Sequence, residues 1–275
     1  MGRITVRRRI SKLTVGAEPR DRQDTLVVEE PLEIRVAGSP LAVTMRTPGH
    51  DMDLAAGFLV SEGVVSRTDE LPGIRYCAGA VDGGLNTYNV LDCDLAPGVA
   101  LPDPSLERSF YTTSSCGLCG KASIDAVRTT STYDVSSDPC RVTTAVLAEL
   151  PVRLRAAQAV FESTGGLHAA GLFTTDGELL VLREDVGRHN AVDKVVGWAL
   201  REGRLPLVGT VLMVSGRASF ELVQKAWMAG IPCLAAVSAP SSLAVDLAAE
   251  SGMTLIGFLR GDSMNLYTGP QRVLA

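Results

Sequence analysis

The sequence has few cysteines and no long apolar run, and both absences restrict what the chain can be. Six cysteines in 275 residues are too few for a disulfide scaffold, which favours a reducing compartment. No apolar run approaches the ~18 residues that a membrane-spanning helix requires. The basic start at residues 1–9 is not followed by the apolar region of a signal peptide. We therefore expect a cytoplasmic protein without a membrane association.

Positive charge is also in the minority. The formal net charge of −5 argues against broad nucleic-acid binding. Near the N-terminus, apolar residues alternate with the arginines of residues 7–9, a pattern typical of a charged edge strand and equally of a binding arm. A composition of 46% hydrophobic and 21% charged residues predicts a globular protein with a real core, built as one large or two ordinary domains.

The stretch TTSSCGLCGK at residues 112–121 places Cys116 and Cys119 three positions apart, with a glycine after each and Lys121 behind them. A thiol reacts as the thiolate, whose formation is favoured by a nearby cation or a helix N-terminus. Lys121 and a helix predicted from Ala122 offer both influences. Because the glycines and the preceding small polar residues favour an accessible loop, we interpret this stretch as one that presents a reactive sulfur.

Other interpretations of the cysteine pair are less well supported. A thioredoxin-like motif would start a helix inside a compact βαβ unit, whereas this pair follows a proline-containing approach at residues 101–104. A structural zinc site needs four ligands, and the sequence has no second close pair. A phosphate loop would need glycine at position 115, where serine stands. Two incidental loop cysteines would not account for the glycines and the lysine together.

The hydrophobic pattern divides the chain into three parts. Residues 1–110 predict a mostly β module with one helix, residues 111–140 the cysteine loop and a connecting segment, and residues 141–275 an α/β domain. The first part has a hairpin signal at residues 32–45 with a turn at 38–40, a helix capped by Asp51 and ended by Gly63, and strands at 74–80 and 86–94.

The last part alternates strands and helices regularly. A helical region at 143–162, interrupted at Pro151, comes first. The predicted strands span residues 168–174, 179–183, 209–214, 232–237 and 254–259, and the predicted helices span 188–202, 219–228 and 243–250. Because these strands are apolar without strict alternation, we expect a sheet covered by helices on both faces.

Three polar clusters stand where these strands meet the helices. His168 enters the first strand, Arg188 and His189 follow the second, and Arg217 follows the third. Ligands of open α/β sheets bind beyond the carboxyl ends of strands, where helix N-termini offer free N–H groups. Capping by Asp185 and Ser219 would explain the acids and serines. It does not explain two arginines suited to phosphate, so we predict a phosphate-bearing ligand.

Six short motifs occur together and in a fixed order. They are RTPGHD (46–51), SSCGLCG (114–120), TGGLHA (164–169), EDVGRHNAVDK (184–194), SGRASFE (215–221) and GFLR (257–260). With these motifs the chain resembles the FdhD (NarQ) family of formate dehydrogenase accessory proteins, from about residue 20 to its end. Each motif alone is weak, but the combination is highly specific.

The resemblance implies a sulfur carrier, a sulfurtransferase. Such a protein takes persulfide sulfur from a cysteine desulfurase and passes it to the bis-molybdopterin guanine dinucleotide cofactor before insertion into formate dehydrogenase. It also implies an α/β fold whose C-terminal three-layer α/β/α domain is similar to the cytidine deaminase fold. The deaminase zinc signature is missing, because alanines follow His168 and no second cysteine follows Cys233.

The resemblance also assigns site residues. Cys116 carries the persulfide and Cys119 assists it, with no metal and no tightly bound cofactor. The resemblance places the transient molybdenum cofactor near the last strand, at Phe258, Leu259, Arg260, Gly261, Asp262 and Ser263. The polar junctions, with His168, Arg188, His189 and Arg217, are expected to bind the same ligand. A homodimer is expected. Two alternatives stay open, a molybdenum-cofactor chaperone without sulfur transfer and a dithiol oxidoreductase.

Overall fold

The computed structural model describes residues 3–77, 81–82, 85–86, 88–100 and 131–275. The cysteine stretch at 112–121 and the helix predicted from Ala122 lie outside these residues, as do parts of the strands predicted at 74–80 and 86–94.

The chain begins with a two-stranded antiparallel ribbon formed by β1 (Thr5–Lys12) and β2 (Arg20–Val27). Its register runs from Thr5 opposite Val27 to Lys12 opposite Arg20. In the described part of the chain, neither strand pairs with a third one. Of the two interpretations of the N-terminal alternation, the observed ribbon fits a projecting arm better than the edge of a larger sheet.

A second, mixed sheet follows. Its elements and their neighbours are β3 (Glu30–Val36), β4 (Ser39–Arg46), α1 (Asp51–Ser61), a 3-10 turn (Thr68–Glu70), β5 (Gly73–Tyr76), the short pair β6 (Val81–Asp82) and β7 (Leu85–Asn86), and β8 (Val90–Asp94). The strand order is β4-β3-β8-β5. The predicted hairpin is confirmed, but its turn lies at Ala37 and Gly38, whose φ angles of 49° and 82° suit a two-residue turn.

The start of α1 differs from the prediction. His50, with a φ of 55°, is the cap residue, and Asp51 is the first helical residue. The Asp51 carboxylate is instead bound by Arg46, at 3.1 Å from Nε and 3.0 Å from Nη2. The predicted N-cap is therefore wrong, because a buried arginine takes the carboxylate. Gly63, with a φ of 74°, follows the helix end as predicted.

The second half of the chain alternates helices and strands. Its elements are β9 (Val142–Thr143), α2 (Thr144–Ala157), α3 (Ala159–Thr164), β10 (His168–Thr174), β11 (Leu179–Asp185), α4 (Arg188–Arg201), β12 (Thr210–Val214), α5 (Phe220–Met228), β13 (Cys233–Ala236), α6 (Ser242–Glu250), β14 (Thr254–Arg260), β15 (Ser263–Thr268), a 3-10 turn (Pro270–Arg272) and β16 (Val273–Leu274). The helix break lies at Gln158, whereas we predicted it at Pro151, which α2 contains. Strand β14 is not the last one, since β15 and β16 follow.

Six of these strands form one sheet in the order β11-β10-β12-β13-β14-β15, in which β12, β13 and β14 are parallel neighbours. Successive residues of β12 alternate between two apolar clusters. Leu212 joins the cluster that contains residues of α1, α4, α5 and α6, and Met213 joins the one that contains residues of α2. The sheet is thus covered on both faces, and the expected α/β class is confirmed. Among the described helices, none is long and apolar enough to cross a membrane.

Helix α1 of the first half crosses α4 of the second half at two glycines. A Cβ atom on Gly57 would lie 1.8 Å from the carbonyl oxygen of Asp193, and one on Gly197 would lie 1.8 Å from that of Asp53. The two helix backbones therefore touch, and one apolar cluster includes residues of both halves, such as Leu32. The subdivision at residues 110 and 140 stays a prediction.

Candidate functional site

The strand directions bring the predicted polar clusters to one edge of the six-stranded sheet. The carboxyl ends of the parallel strands β12, β13 and β14 share this edge. Strands β10 and β12 are antiparallel, as are β10 and β11, so the start of β10 and the end of β11 lie at the same edge, with His168 directly opposite Asp185. We call this region the crevice edge.

Hydrogen bonds between loops hold the crevice edge together. The Ala169 N–H donates to Ser215 Oγ (2.9 Å), and the Ser215 N–H donates to the Ala169 carbonyl (3.0 Å). The Ser238 N–H donates to the Gly216 carbonyl (3.3 Å). A Cβ atom on Gly216 would lie 3.5 Å from Nδ1 of His168. The glycine thus lets the loop between β12 and α5 approach the imidazole closely.

Arg188 is the first residue of α4, and its guanidinium has a buried donor to offer. Its Nε atom is buried and has no hydrogen-bond partner among the described residues. Buried donors are nearly always paired, and leaving one unpaired costs about 1–3 kcal/mol. Gly187 caps α4 without a side-chain hydrogen bond. The N–H groups of the first turn of α4 are therefore not capped by a side chain, and such groups bind anions. Arg188 and the start of α4 therefore suit an anionic oxygen.

His189 lies between the starts of α4 and α5. Its Nε2 atom is 3.3 Å from Ser219 Oγ and 3.7 Å from Glu221 Oε2. Burial opposes ionisation of Glu221, but the adjacent His189 imidazole and hydrogen bonds with its own backbone N–H and with Ser219 outweigh it and lower the pKa of Glu221 to about 2. Glu221 is therefore a permanent carboxylate that holds the His189 ring in place.

The contacts of Ser219 and Glu221 go beyond what sequence reasoning assigned to them. Ser219 is the cap residue of α5, but its side chain makes no capping hydrogen bond. Glu221, an acidic residue in the first turn of α5, pairs with His189. The sequence feature that could have indicated these contacts is the SGRASFE motif, in which Ser219 and Glu221 follow Arg217 by two and four residues.

His168 is kept from becoming charged. Burial of the ring, the positive charge of Arg188 and the neighbouring His189 all lower the pKa of His168 below its ordinary value. At neutral pH the ring is therefore uncharged and offers one hydrogen-bond donor and one acceptor. Its position beside Gly216 and opposite Asp185 makes it part of the crevice edge.

Other polar residues of the same motif are structural. Asp185 and Lys194 form a fully buried ion pair of 2.7 Å. The Thr47 N–H donates to Asp185 Oδ2 at 3.1 Å, and Asn190 Nδ2 donates to the Met45 carbonyl at 2.8 Å. These bonds attach the segment at 45–51 to the end of β11 and the first turn of α4. Capping does not describe Asp185, which instead holds the two halves of the molecule together.

Asp193 belongs to this structural set as well. Its carboxylate accepts from Lys225 Nζ at 2.7 and 2.8 Å and from Ser61 Oγ at 2.7 Å. Because Ser61 ends α1, Asp193 lies in α4 and Lys225 lies in α5, one carboxylate joins three helices. Arg188 and His189 are thus the residues of the motif that face the crevice edge.

The segment 258–263 splits into buried and accessible residues. Phe258 is 41% exposed and has a φ of 51°, a conformation that costs energy for a residue with a Cβ atom. Leu259 is completely buried, so its side chain is a core residue. Arg260 Nε donates to the Val237 carbonyl at 3.0 Å. Gly261 and Asp262 form the exposed turn between β14 and β15, with Ser263 opposite Arg260.

Arg217 is exposed in the loop between β12 and α5. Because this loop leaves the carboxyl end of β12, Arg217 lies at the crevice edge together with His168, Arg188, His189 and Phe258. Cys116 and Cys119 lie outside the described residues, and the structure gives no geometry for them.

Three of the four cysteines that the structure describes are poor nucleophiles. Burial raises the pKa of Cys93 to about 12 and that of Cys140 to about 11, and it raises the pKa of Cys233 further. These three thiols are buried and protonated at neutral pH, so they do not provide a reactive thiolate. Cys77 is half-buried.

Known proteins resemble this chain in sequence and in fold. A model of the FdhD/NarQ family matches residues 27–274. A protein of Streptomyces avermitilis, named sulfur carrier protein FdhD, is 68% identical over 274 residues, covering 99% of this chain and 97% of the relative. Proteins of the same name from Mycolicibacterium paratuberculosis and Mycobacterium tuberculosis are 62% and 58% identical, covering 98% and 99% of this chain and 99% and 100% of theirs.

A solved structure has the same fold. It is the crystal structure of a protein from Desulfotalea psychrophila described as a formate dehydrogenase accessory protein, with a TM-score of 0.79 and 22% identity, covering 99% of this chain and 100% of that one. At this identity the likeness establishes the fold alone. The family model and the relatives confirm the resemblance that the motifs indicated, and the chain belongs to the FdhD/NarQ family.

Proposed function

We propose that the chain is a sulfur carrier, which takes sulfur from a cysteine desulfurase and delivers it to the bis-molybdopterin guanine dinucleotide cofactor of formate dehydrogenase. The main support is the family match over residues 27–274, which includes the cysteine stretch, together with relatives named sulfur carriers. We expect this sulfur transfer to take place in the cytoplasm, and a homodimer remains a prediction.

In the loading step, the thiolate of Cys116 attacks the terminal sulfur of the desulfurase persulfide. A new S–S bond forms on Cys116, the old S–S bond breaks, and the desulfurase cysteine leaves as a thiolate. No net oxidation occurs, so no further reactant is needed. Cys119 acts as an assisting thiol, and the low reactivity of Cys93, Cys140 and Cys233 that follows from their raised pKa values supports this choice of nucleophile.

The cofactor is the substrate of the delivery step, and we assign its guanine dinucleotide part to the crevice edge. Arg188 and the N-terminus of α4 would bind a phosphate, with exposed Arg217 as a second cationic fork. Neutral His168 and the His189–Glu221 pair would line the same edge. Exposed Asp262 has the carboxylate that a guanine N–H edge requires, and Phe258 offers an accessible aromatic face.

Intact-mass analysis after incubation with a cysteine desulfurase and cysteine tests the loading step. We expect the wild-type protein to gain the mass of one sulfur atom, Cys116→Ala to gain none and Cys119→Ala to retain part of the loading. Cys77→Ala is the matched control, since it removes a partly accessible thiol, and it should load fully. Full loading of Cys116→Ala would contradict the assignment.

A further inference from the structure

The β1–β2 ribbon has no role in the function proposed so far. The family model begins at residue 27, where β2 ends, so the ribbon precedes the matched part of the chain. Every residue from 11 to 23 is exposed, and the turn carries the apolar side chains Leu13 and Val15 in full contact with solvent, at 75% and 104% exposure.

The ribbon is attached beside the crevice edge. At its base, Val27 Cγ1 lies 3.3 Å from the position of a Cβ atom on Gly166, two residues before His168. Ile4 Cδ1 approaches Gly49 in the same way, at 3.7 Å. Gly49 belongs to the segment that Asp185 and Asn190 hold against the end of β11. The ribbon thus projects from the part of the molecule that we assign to the cofactor.

The net charge of the ribbon is opposite in sign to that of the rest of the chain. Residues 3–27 contain seven arginines and lysines and three acids, whereas the whole chain contains 26 basic and 31 acidic residues. The ribbon therefore has an excess of four positive charges, and the remainder has an excess of nine negative ones. Such a separation makes a local attractive patch on a molecule that otherwise repels acidic partners.

The register concentrates this charge on one face. Residues directly opposite each other in an antiparallel pair share a face. Lys12 is opposite Arg20, Ile10 is opposite Arg22, and Arg8 is opposite Asp24. That face carries four basic residues and one acid, with Asp24 paired to Arg22 at 3.1 Å. The apolar turn with Leu13 and Val15 joins the two strands at the far end of the ribbon.

We infer that the ribbon is a docking arm for an acidic surface on the enzyme that receives the cofactor. The inference rests on the proposed function, which supplies that partner, formate dehydrogenase. The basic face attracts and orients the partner, and the apolar turn with Leu13 and Val15 makes the contact that excludes water. A partner held by the ribbon stands next to the crevice edge, where the cofactor is to be handed over.

The charge pattern favours a protein over a nucleic acid. Acids are interspersed with the arginines, as in the exposed Arg9–Asp21 pair, and the exposed aliphatic turn has no use on a phosphate backbone. The overall negative charge would also repel a polyanion that extends beyond the ribbon.

The test uses the full-length protein and formate dehydrogenase purified without its molybdenum cofactor from the same cells. Arg8→Glu, Lys12→Glu and Arg20→Glu are combined in one variant, and Leu13→Ser with Val15→Ser in another. The matched control combines Arg67→Glu, Arg155→Glu and Arg204→Glu, three exposed arginines outside the ribbon, and changes the net charge by the same amount.

We expect the association rate of the ribbon charge variant to fall by about tenfold or more at low salt, with the difference shrinking as salt is added. The charge control should fall clearly less, and the Leu13/Val15 variant should dissociate faster than wild type. Equal association rates for the ribbon variant and its control would overturn the inference. So would a wild-type protein that binds a DNA duplex but not the enzyme.

Persulfide loading, read by intact mass on the same samples, separates this inference from the proposed function. The ribbon charge variant should load at Cys116 like the wild type when the desulfurase is saturating. If the wild-type protein gains no sulfur, the result counts against sulfur transfer itself. If the ribbon charge variant loads normally and also binds the enzyme as the wild type does, the result counts against the docking arm alone.

Discussion

Individual residues of the segment 184–194 differ in role according to what they contact. Asp185 and Lys194 are buried and paired, whereas Arg188 keeps a buried donor without a partner among the described residues. Sequence alone predicted Arg188 and His189 as site residues, but it could not separate them from Lys194. All three are polar residues of one motif, and only the fold decides which of them point into the interior.

Lys194→Met should destabilise the protein by about 3–5 kcal/mol, because it leaves the buried charge of Asp185 without a partner. Arg188→Gln should change the free energy of unfolding by less than about 1 kcal/mol. Denaturant unfolding measures both. If Lys194→Met unfolds like the wild type, the structural role of the pair is refuted.

Arg188→Gln and Arg217→Ala should each weaken GDP binding by about 1–3 kcal/mol, through loss of a charge-assisted hydrogen bond. Wild-type protein should bind GDP more tightly than ADP. Calorimetric titration provides the measurement, and Arg204→Ala is the control, since this exposed arginine follows α4 and precedes β12 at the opposite edge of the sheet. Equal binding of GDP and ADP would remove the guanine site from the account.

The lowered pKa of Glu221 makes the free energy of unfolding decrease as the pH falls. Its pKa of about 2 in the folded protein is below the ordinary value of 4.5, so its stabilising effect is complete above pH 4.5 and is lost as the pH falls toward 2. The stability advantage of wild type over Glu221→Gln should therefore shrink by about 2 kcal/mol between pH 6 and pH 3. Glu202→Gln, an exposed control at the end of α4, should show no such trend. An advantage that stays constant with pH would contradict the pairing with His189.

At the scale of elements, the crossing of α1 and α4 is the contact with least room. Gly57→Ala should destabilise the fold by at least about 3 kcal/mol, because the added methyl group would overlap the Asp193 carbonyl. Gly209→Ala, where a Cβ atom meets open space but φ is +66°, should cost about 1 kcal/mol. Thermal and denaturant unfolding measure the loss of stability in each variant. Similar losses for Gly57→Ala and Gly209→Ala would mean that α1 and α4 separate easily.

The elements of the second half could be predicted because their apolar runs and glycine turns are strong local signals. Strand β10 was predicted with its observed bounds, and the other predicted strands and helices of this half differ from the observed ones by one or two residues at their ends. Strand β15 was missed because it is an edge strand whose side chains are mostly exposed, so it has no apolar pattern. The passage of α2 through Pro151 was missed because burial of Leu147, Leu150 and Leu154 outweighs the lost hydrogen bond.

At the scale of the whole molecule, the motifs assemble around one joint between the two halves. Asn190 and Asp185 bind the segment at 45–51, and Asp193 joins three helices. No local pattern predicts these long-range pairs, since each partner alone looks like a cap or a turn residue. The sequence could predict that polar residues gather at the strand ends, and the structure adds which of them remain available to a ligand.

Sulfur-35 labelling follows the proposed passage of sulfur through Cys116 to the cofactor. Carrier loaded with labelled persulfide and separated from the desulfurase is incubated with cofactor that has not yet received the carrier's sulfur and with formate dehydrogenase lacking its cofactor. We expect the label to leave the carrier and appear in the enzyme-bound cofactor as formate oxidation starts, with neither event for Cys116→Ala. Activation of the enzyme by Cys116→Ala, or activation without transfer of label, would contradict the account and favour a chaperone that binds the cofactor without donating sulfur.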